Sequence, residues 1–110
     1  MRNMKMTFGE WECLVVFRRY HDGNPAILLI DANDYQPVAT ATVNADIPPP
    51  DGTVFVKDWS ENEGMLEALI AANVIHPEPV GFVPLGFVTA GAYCLTDEAL
   101  RYQAAAEVQS

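Results

Sequence analysis

The chain has 110 residues, of which half are apolar and 19% are charged, with 15 Asp and Glu against 6 Lys and Arg. This length is typical of one domain, and the apolar content is too high for an intrinsically disordered chain. A formal net charge of −9 disfavours direct binding to nucleic acid or to an anionic membrane, because phosphate binding requires clustered lysine and arginine. We therefore expect one soluble domain over residues 1–110, with neither nucleic acid nor a membrane as a direct partner.

Four runs of apolar and β-branched residues predict β-strands: residues 11–20, 26–31, 37–43 and 53–56. An Asp22-Gly23 step between the first two runs is a strong hairpin signal, and a polar turn follows at residues 31–34. Three successive prolines at residues 48–50 predict a loop before the fourth run, because proline cannot donate to a strand ladder. The first three strands are therefore expected to form an antiparallel meander.

A capping box predicts the start of the first helix. Ser60 occupies the expected N-cap position, and Glu63 follows three residues later. Apolar residues then recur at helical spacing: Met65, Leu66, Leu69 and Ile70. Asn73 is a typical helix stop. The pattern predicts an amphipathic helix over residues 61–73, in which Gly64 costs about 1 kcal/mol relative to alanine unless close packing or a partner requires it.

The last third of the chain predicts two further strands and a second helix. Residues 80–88 are apolar but contain two glycines and a proline, which indicates a bent or edge strand. Residues 92–95 predict a short strand, and Thr96 predicts the cap of a C-terminal helix that frays from about residue 105. The order β-β-β-β-α-β, followed by a helix, predicts an α+β fold. In it, one amphipathic helix packs on a mainly antiparallel sheet.

The charge is unevenly distributed along the chain. Residues 1–19 carry four basic residues against two acidic ones, whereas residues 20–110 carry Lys57 and Arg101 against 13 acidic residues. Few cations are therefore available to pair with these carboxylates, and a negative potential should persist around them. Two interpretations stay open: the acidic surface confers solubility only, or it forms a face that docks on a basic partner.

No catalytic or cofactor motif is recognisable. The chain has neither a nucleotide-binding glycine loop nor a nucleophile elbow, and His21 and His76 lack partners at metal-ligand spacing. Cys13 and Cys94 lie in apolar, strand-like runs and are expected to be reduced core thiols of a cytoplasmic protein. We therefore expect a protein that is not an enzyme, with no catalytic residues, no metal and no cofactor.

Polar residues concentrate in residues 57–63 (KDWSENE), where a predicted strand leads into a helix. In one interpretation they only cap the helix, with Trp59 packed on its first turns as a hydrophobic staple. In a second, the segment is a divalent cation site. In a third, it is a partner-binding surface in which the indole anchors and carboxylates face Arg or Lys of the partner. The residues of that surface are Asp58, Trp59, Glu61, Glu63 and Glu67.

The same stretch carries a resemblance to known sequences. Residues 56–69 (VKDWSENEGMLEAL), with residues 29–34, 38–44 and 84–88, resemble a family of small proteins of unknown function carried by bacterial plasmids and phages. The family has no established activity or catalytic residues to carry over. The resemblance implies a mobile-element context, in which small acidic proteins often inhibit host defence and imitate the charge of nucleic acid.

Two functions follow as hypotheses. The first is a non-enzymatic binding protein, monomeric or homodimeric, whose acidic face docks on a basic host complex that handles nucleic acid, such as a CRISPR or restriction complex. The second is a housekeeping or assembly module that self-associates through its sheet edge or through the apolar loop at residues 84–88.

Overall fold

The computed structural model describes residues 3–109, so the positive charge of Arg2 lies outside the described residues. Within that range the fold is α+β, as the sequence predicts. The elements are β1 (Met4–Phe8), β2 (Trp11–Arg19), β3 (Pro25–Asp31), β4 (Pro37–Thr40), β5 (Thr53–Phe55), a 3-10 turn (Ser60–Asn62), α1 (Met65–Ala71), β6 (Ile75–Leu85), β7 (Val88–Leu95) and α2 (Asp97–Gln109). No helix among these residues is long and apolar enough to cross a membrane.

The first four strands form an antiparallel sheet in the order β1-β2-β3-β4. In the hairpin of β2 and β3, Val15 lies opposite Leu29. The predicted meander is thus confirmed, but β1 precedes it and is missing from the sequence prediction. β1 alternates as a half-buried strand does, with Met4 and Met6 buried and Lys5 and Thr7 exposed. Methionine is not among the residues enriched in strands, so the pattern carries a weak signal.

The remaining strands form a second antiparallel sheet in the order β5-β7-β6, so the prediction of a single sheet is wrong. Residues 80–88, predicted as a bent or edge strand, fall in the hairpin of β6 and β7. β6 is an edge strand, like β5, and its register shifts on both sides of Pro79. A bridge between Thr42 and Val56 links the two sheets. The sheets separate because the first ends at Thr40 and a proline-rich loop precedes β5.

Both helices cover the sheets, where the sequence predicts one. α1 packs against β1 and β6, and α2 packs against β2 and β7. α1 ends at Ala71, two residues before the predicted end, in a Schellman motif. Asn73 takes a φ of 60°, and the Val74 amide donates to the Leu69 carbonyl at 3.0 Å. Asn73 therefore stops the helix, as predicted, but it lies two residues beyond the last helical residue, Ala71.

The start of α2 is capped as the sequence predicts. Thr96 Oγ1 accepts a hydrogen bond from the Ala99 amide at 3.1 Å, which satisfies one amide of the first helical turn. The same hydroxyl donates to the Asn73 carbonyl at 2.7 Å. The cap thus also ties the start of α2 to the end of α1. α2 continues to Gln109, past residue 105, where the sequence predicts fraying.

Two apolar clusters stabilise the fold. The main core joins α1, α2 and both sheets, and its fully buried side chains include Val15, Ile27, Leu29, Val54, Met65 and Leu69. A smaller core lies on the other face of the second sheet and consists of Ala45, Phe55, Val83, Ala90 and Ala92. The second sheet therefore buries apolar side chains on both of its faces.

The two cysteines are both free thiols. Cys13 is buried, as predicted, and burial raises the pKa of its thiol, which keeps it in the protonated, unreactive form. Cys94 is only half-buried, so the prediction of a core position is wrong for this residue. It shares the strand face of Ala92 but lies at the end of β7, beyond the smaller core.

Candidate functional site

The segment between β5 and α1 does not form the predicted capping box. Ser60 begins a 3-10 turn, and α1 begins only at Met65, four residues after the predicted start. Gly64 is the N-cap residue and has a φ of 94°, a left-handed conformation that glycine adopts without steric cost. Because glycine has no side chain, the N-cap residue itself cannot cap the helix with a side-chain hydrogen bond. Gly64 is therefore explained by backbone conformation and not by close packing.

Asp58 supplies the cap that the sequence pattern assigns to Ser60. Its Oδ1 accepts hydrogen bonds from the Gly64 amide at 3.1 Å and from the Leu66 amide at 2.9 Å. The carboxylate reaches these amides across the 3-10 turn, six and eight residues along the chain. A capping box is defined by residues three positions apart, so the pattern does not reveal this longer connection. Oδ2 makes no hydrogen bond within residues 3–109.

The other predicted carboxylates are not brought together with Asp58. Glu61 pairs with Lys57, whose Nζ lies 2.7 Å from Oε2, and this hydrogen bond lowers the pKa of Glu61. Glu63 and Glu67 are exposed and form no ion pair with the part of the chain that the structure describes. Nowhere in residues 3–109 do three or more His, Cys, Asp or Glu side chains form a group that could hold a metal ion. The geometry therefore gives the cation-site interpretation no support.

Trp59 is not in the position of a hydrophobic staple, because α1 begins six residues later and its N-cap is Gly64. Its half-buried indole packs against the smaller core, on the second sheet. The ring also lines an open groove of about 350 Å³ between the N-terminal end of α1 and the second sheet. We call this the Tyr93 groove, and its principal lining residues are Asp58, Trp59, Leu66, Phe82, Gly91 and Tyr93.

Tyr93 is the polar residue that the sequence does not point to. Its side chain is nine-tenths buried, with 8% exposure, yet its hydroxyl forms no hydrogen bond within residues 3–109. Burial, and to a smaller extent the charge of Asp58, raises the pKa of Tyr93, so the phenol is neutral at physiological pH. The Tyr93 groove is thus lined by a residue with a neutral hydroxyl and by one with a carboxylate, and no hydrogen bond joins the two side chains.

Gly91 forms part of the floor of the Tyr93 groove because no side chain fits there. A Cβ atom at this position would lie 2.8 Å from Cε2 of the Tyr93 ring. A glycine inside a strand often marks such a close approach, so Gly91 is the signal in the sequence that indicates this site. Phe82, opposite Gly91 in the register of β6 and β7, contributes a wall and is 66% exposed.

The turn between β6 and β7 is a second exposed apolar feature. Phe87 is fully exposed there, and Gly86 takes a φ of 68°. Val80 and Phe82 of the same hairpin are also more than half exposed. Large apolar side chains grouped on a surface are typical of contact sites.

Comparison with protein-family models, with curated proteins and with solved structures found no match to this chain. The resemblance to plasmid and phage proteins therefore stays a prediction, and inferences about function depend on the geometry of the chain itself.

Proposed function

We propose that the chain is a non-enzymatic binding protein that docks on a basic protein surface through residues 58–67, the acidic segment. The observation that carries this proposal is the position of Glu63 and Glu67. Both are exposed carboxylates without an ion-pair partner in residues 3–109, and they lie in the segment that also borders the Tyr93 groove. Exposed charge next to an apolar groove is the usual composition of a rim and a core in a protein interface.

The charge distribution supports a basic partner. Within residues 3–109 the ion pairs are Arg19 with Glu107 and Lys57 with Glu61. Most of the 15 acidic residues of the chain therefore keep their charge uncompensated at short range. Such a surface attracts cationic partners and repels nucleic acid and other anions.

Capture experiments with a neutralised variant test this proposal. We expect the triple variant Glu61→Gln, Glu63→Gln and Glu67→Gln to lose a partner that the native chain captures from host lysate. The loss should be about tenfold or more, because each rim charge contributes several tenths of a kcal/mol or more. Quantitative mass spectrometry of the captured proteins, at low and at high salt, is the measurement.

The matched control neutralises three exposed carboxylates elsewhere, with Glu10→Gln, Glu12→Gln and Glu78→Gln. This variant has the same net charge as the test variant, so equal losses in both would mean that only the overall charge matters. That result, or capture that does not change with salt, would contradict docking through the acidic segment.

Within this function we propose that the partner is a host complex that handles nucleic acid, of the CRISPR or restriction type. The net charge of −9 and the resemblance to plasmid and phage proteins support this narrower hypothesis. The same capture experiment decides it. Subunits of such complexes among the captured proteins, displaced by competing DNA, support it, and their absence contradicts it.

Self-association is the second candidate function, and the full exposure of Phe87 favours it. In this case we expect size-exclusion chromatography with light scattering to give a dimer whose mass does not depend on salt, since the contact is apolar. Phe87→Ser should convert the dimer to a monomer without lowering thermal stability. A monomer at every concentration, or a dimer that Phe87→Ser leaves intact, would contradict this function.

A further inference from the structure

We propose that the Tyr93 groove binds one arginine side chain of the protein partner, with the guanidinium between Asp58 and Tyr93. This inference rests on the proposed function, because it names the group that the partner presents beside the acidic segment. It goes further in assigning a particular pocket and a particular chemistry, which the acidic segment alone does not define.

The first argument is the unused hydrogen-bonding capacity inside the groove. Tyr93 is 8% exposed, and its hydroxyl has no hydrogen-bond partner in the described part of the chain. The Asp58 carboxylate uses Oδ1 for both of its hydrogen bonds to the α1 backbone, which leaves Oδ2 to accept from a ligand. None of the described residues has a fully buried polar side-chain atom without a partner, so the Tyr93 hydroxyl stays in contact with solvent in the open groove, where a ligand's hydrogen bond can replace that of water.

The second argument is the lining of the groove. The walls are formed by Leu66 of α1 and by the aromatic rings of Trp59, Phe82 and Tyr93. An arginine side chain has an apolar stem that packs on aliphatic carbon and a planar, weakly hydrated guanidinium that stacks on aromatic rings. The volume of about 350 Å³ is near the lower limit of small-molecule pockets, so it suits one side chain better than a cofactor.

The third argument is the negative charge around the groove and the arrangement of hydrogen-bond donors that a ligand needs there. The carboxylate of Asp58 repels anionic ligands, and the exposed Glu63 and Glu67 extend the negative potential along α1 and the loop before it. The Asp58 carboxylate only accepts hydrogen bonds, and the Tyr93 hydroxyl can accept as well as donate, so a ligand with donors in more than one direction can engage both groups. The guanidinium carries five N–H donors in a fixed plane, whereas the lysine ammonium is a compact, strongly hydrated point charge.

A titration with short peptides tests the assignment. The probes are acetyl-Gly-Arg-Gly-amide, the same peptide with citrulline, and the same peptide with lysine, each added to the 15N-labelled full chain. Citrulline keeps the shape of arginine but not its charge. We expect the arginine peptide to shift the amide signals of Leu66, Gly91 and Tyr93 and the indole signal of Trp59. It should bind about tenfold more tightly than the citrulline peptide, since charge-assisted hydrogen bonds are roughly twice as strong as neutral ones.

Two variants separate the groove from general electrostatics. Tyr93→Phe removes only the hydroxyl and keeps the ring over Gly91, while Phe82→Ala removes a wall that is already 66% exposed. Each should weaken the arginine peptide about threefold to tenfold, in line with the loss of one hydrogen bond or one aromatic contact. Glu10→Gln, which changes an exposed charge outside the groove, should leave the affinity unchanged. Thermal unfolding of each variant establishes that it is folded.

The outcomes distinguish the two proposals. If the arginine peptide shifts the groove signals but neutralising the acidic segment leaves partner capture unchanged, the proposed function fails and the pocket assignment stands. If the citrulline or lysine peptide binds as tightly as the arginine peptide, or if Tyr93→Phe and Phe82→Ala have no effect, the pocket assignment is overturned. The same holds if the groove signals shift with protein concentration alone, because a second copy of the chain would then occupy the groove.

Discussion

Replacing Leu69 by alanine is expected to lower the free energy of unfolding by about 2–5 kcal/mol, the range for truncating a fully buried leucine. The Leu69 side chain has 0% exposure and belongs to the main core, where α1 meets both sheets. Its removal leaves a cavity between elements that pack on several sides, so the neighbours can relax only in part. Urea unfolding followed by tryptophan fluorescence and circular dichroism measures the change.

Ile47→Ala is the matched control, because it also removes three carbon atoms but from a side chain that is 54% exposed. Its effect should stay within about 0.5 kcal/mol, as for other surface substitutions. If the two variants lost similar stability, Leu69 would not lie in a packed core, and the placement of α1 over the sheets would be wrong.

Replacing Asp58 by alanine is expected to lower the free energy of unfolding by about 1–2 kcal/mol, the cost of losing a good helix cap. The variant leaves the amides of Gly64 and Leu66 without the carboxylate that accepts their hydrogen bonds. Asp58→Asn keeps an oxygen in the same place and should restore most of the loss. Thermal and urea unfolding of the full chain measure both effects.

Ser60→Ala is the control that decides between the two caps, since Ser60 makes no side-chain bond to α1. It should change stability by less than about 0.5 kcal/mol. A larger loss for Ser60→Ala than for Asp58→Ala would restore the capping box and remove Asp58 as the residue that holds the start of the helix.

The elements that the sequence predicts correctly are those whose signals are local. The Asp22-Gly23 turn fixes the hairpin of β2 and β3, and Thr96 marks the start of α2 three residues before the amide that it caps. The spacing of Met65 and Leu69 identifies the buried face of α1. Each of these signals depends on neighbours within four residues along the chain, so a single sequence contains all the information required.

The features that the sequence does not reveal depend on distant pairings. Whether β5 joins the first sheet or pairs with β7 is decided by contacts some 40 residues apart, such as Val54 with Tyr93. The same pairing assembles the Tyr93 groove. Asp58 and Trp59 can be identified from the sequence as candidate site residues, whereas Phe82, Gly91 and Tyr93 join them only in the folded chain. The ion pair of Glu61 with Lys57 beside the 3-10 turn is likewise a feature of the folded chain.

The prolines of β6 have a consequence for how any partner can attach. β6 is one of the two outer strands of its sheet, and such strands are where another chain can add as an extra strand. Pro77, Pro79 and Pro84 lack the backbone N–H that an incoming strand requires, and the shifts in register around Pro79 interrupt the regular spacing of the remaining groups. The hairpin can thus display Phe82 and Phe87 in water while its backbone resists fibril-type stacking. A partner that binds at this end of the molecule is accordingly expected to contact side chains and not the backbone of the strand edge.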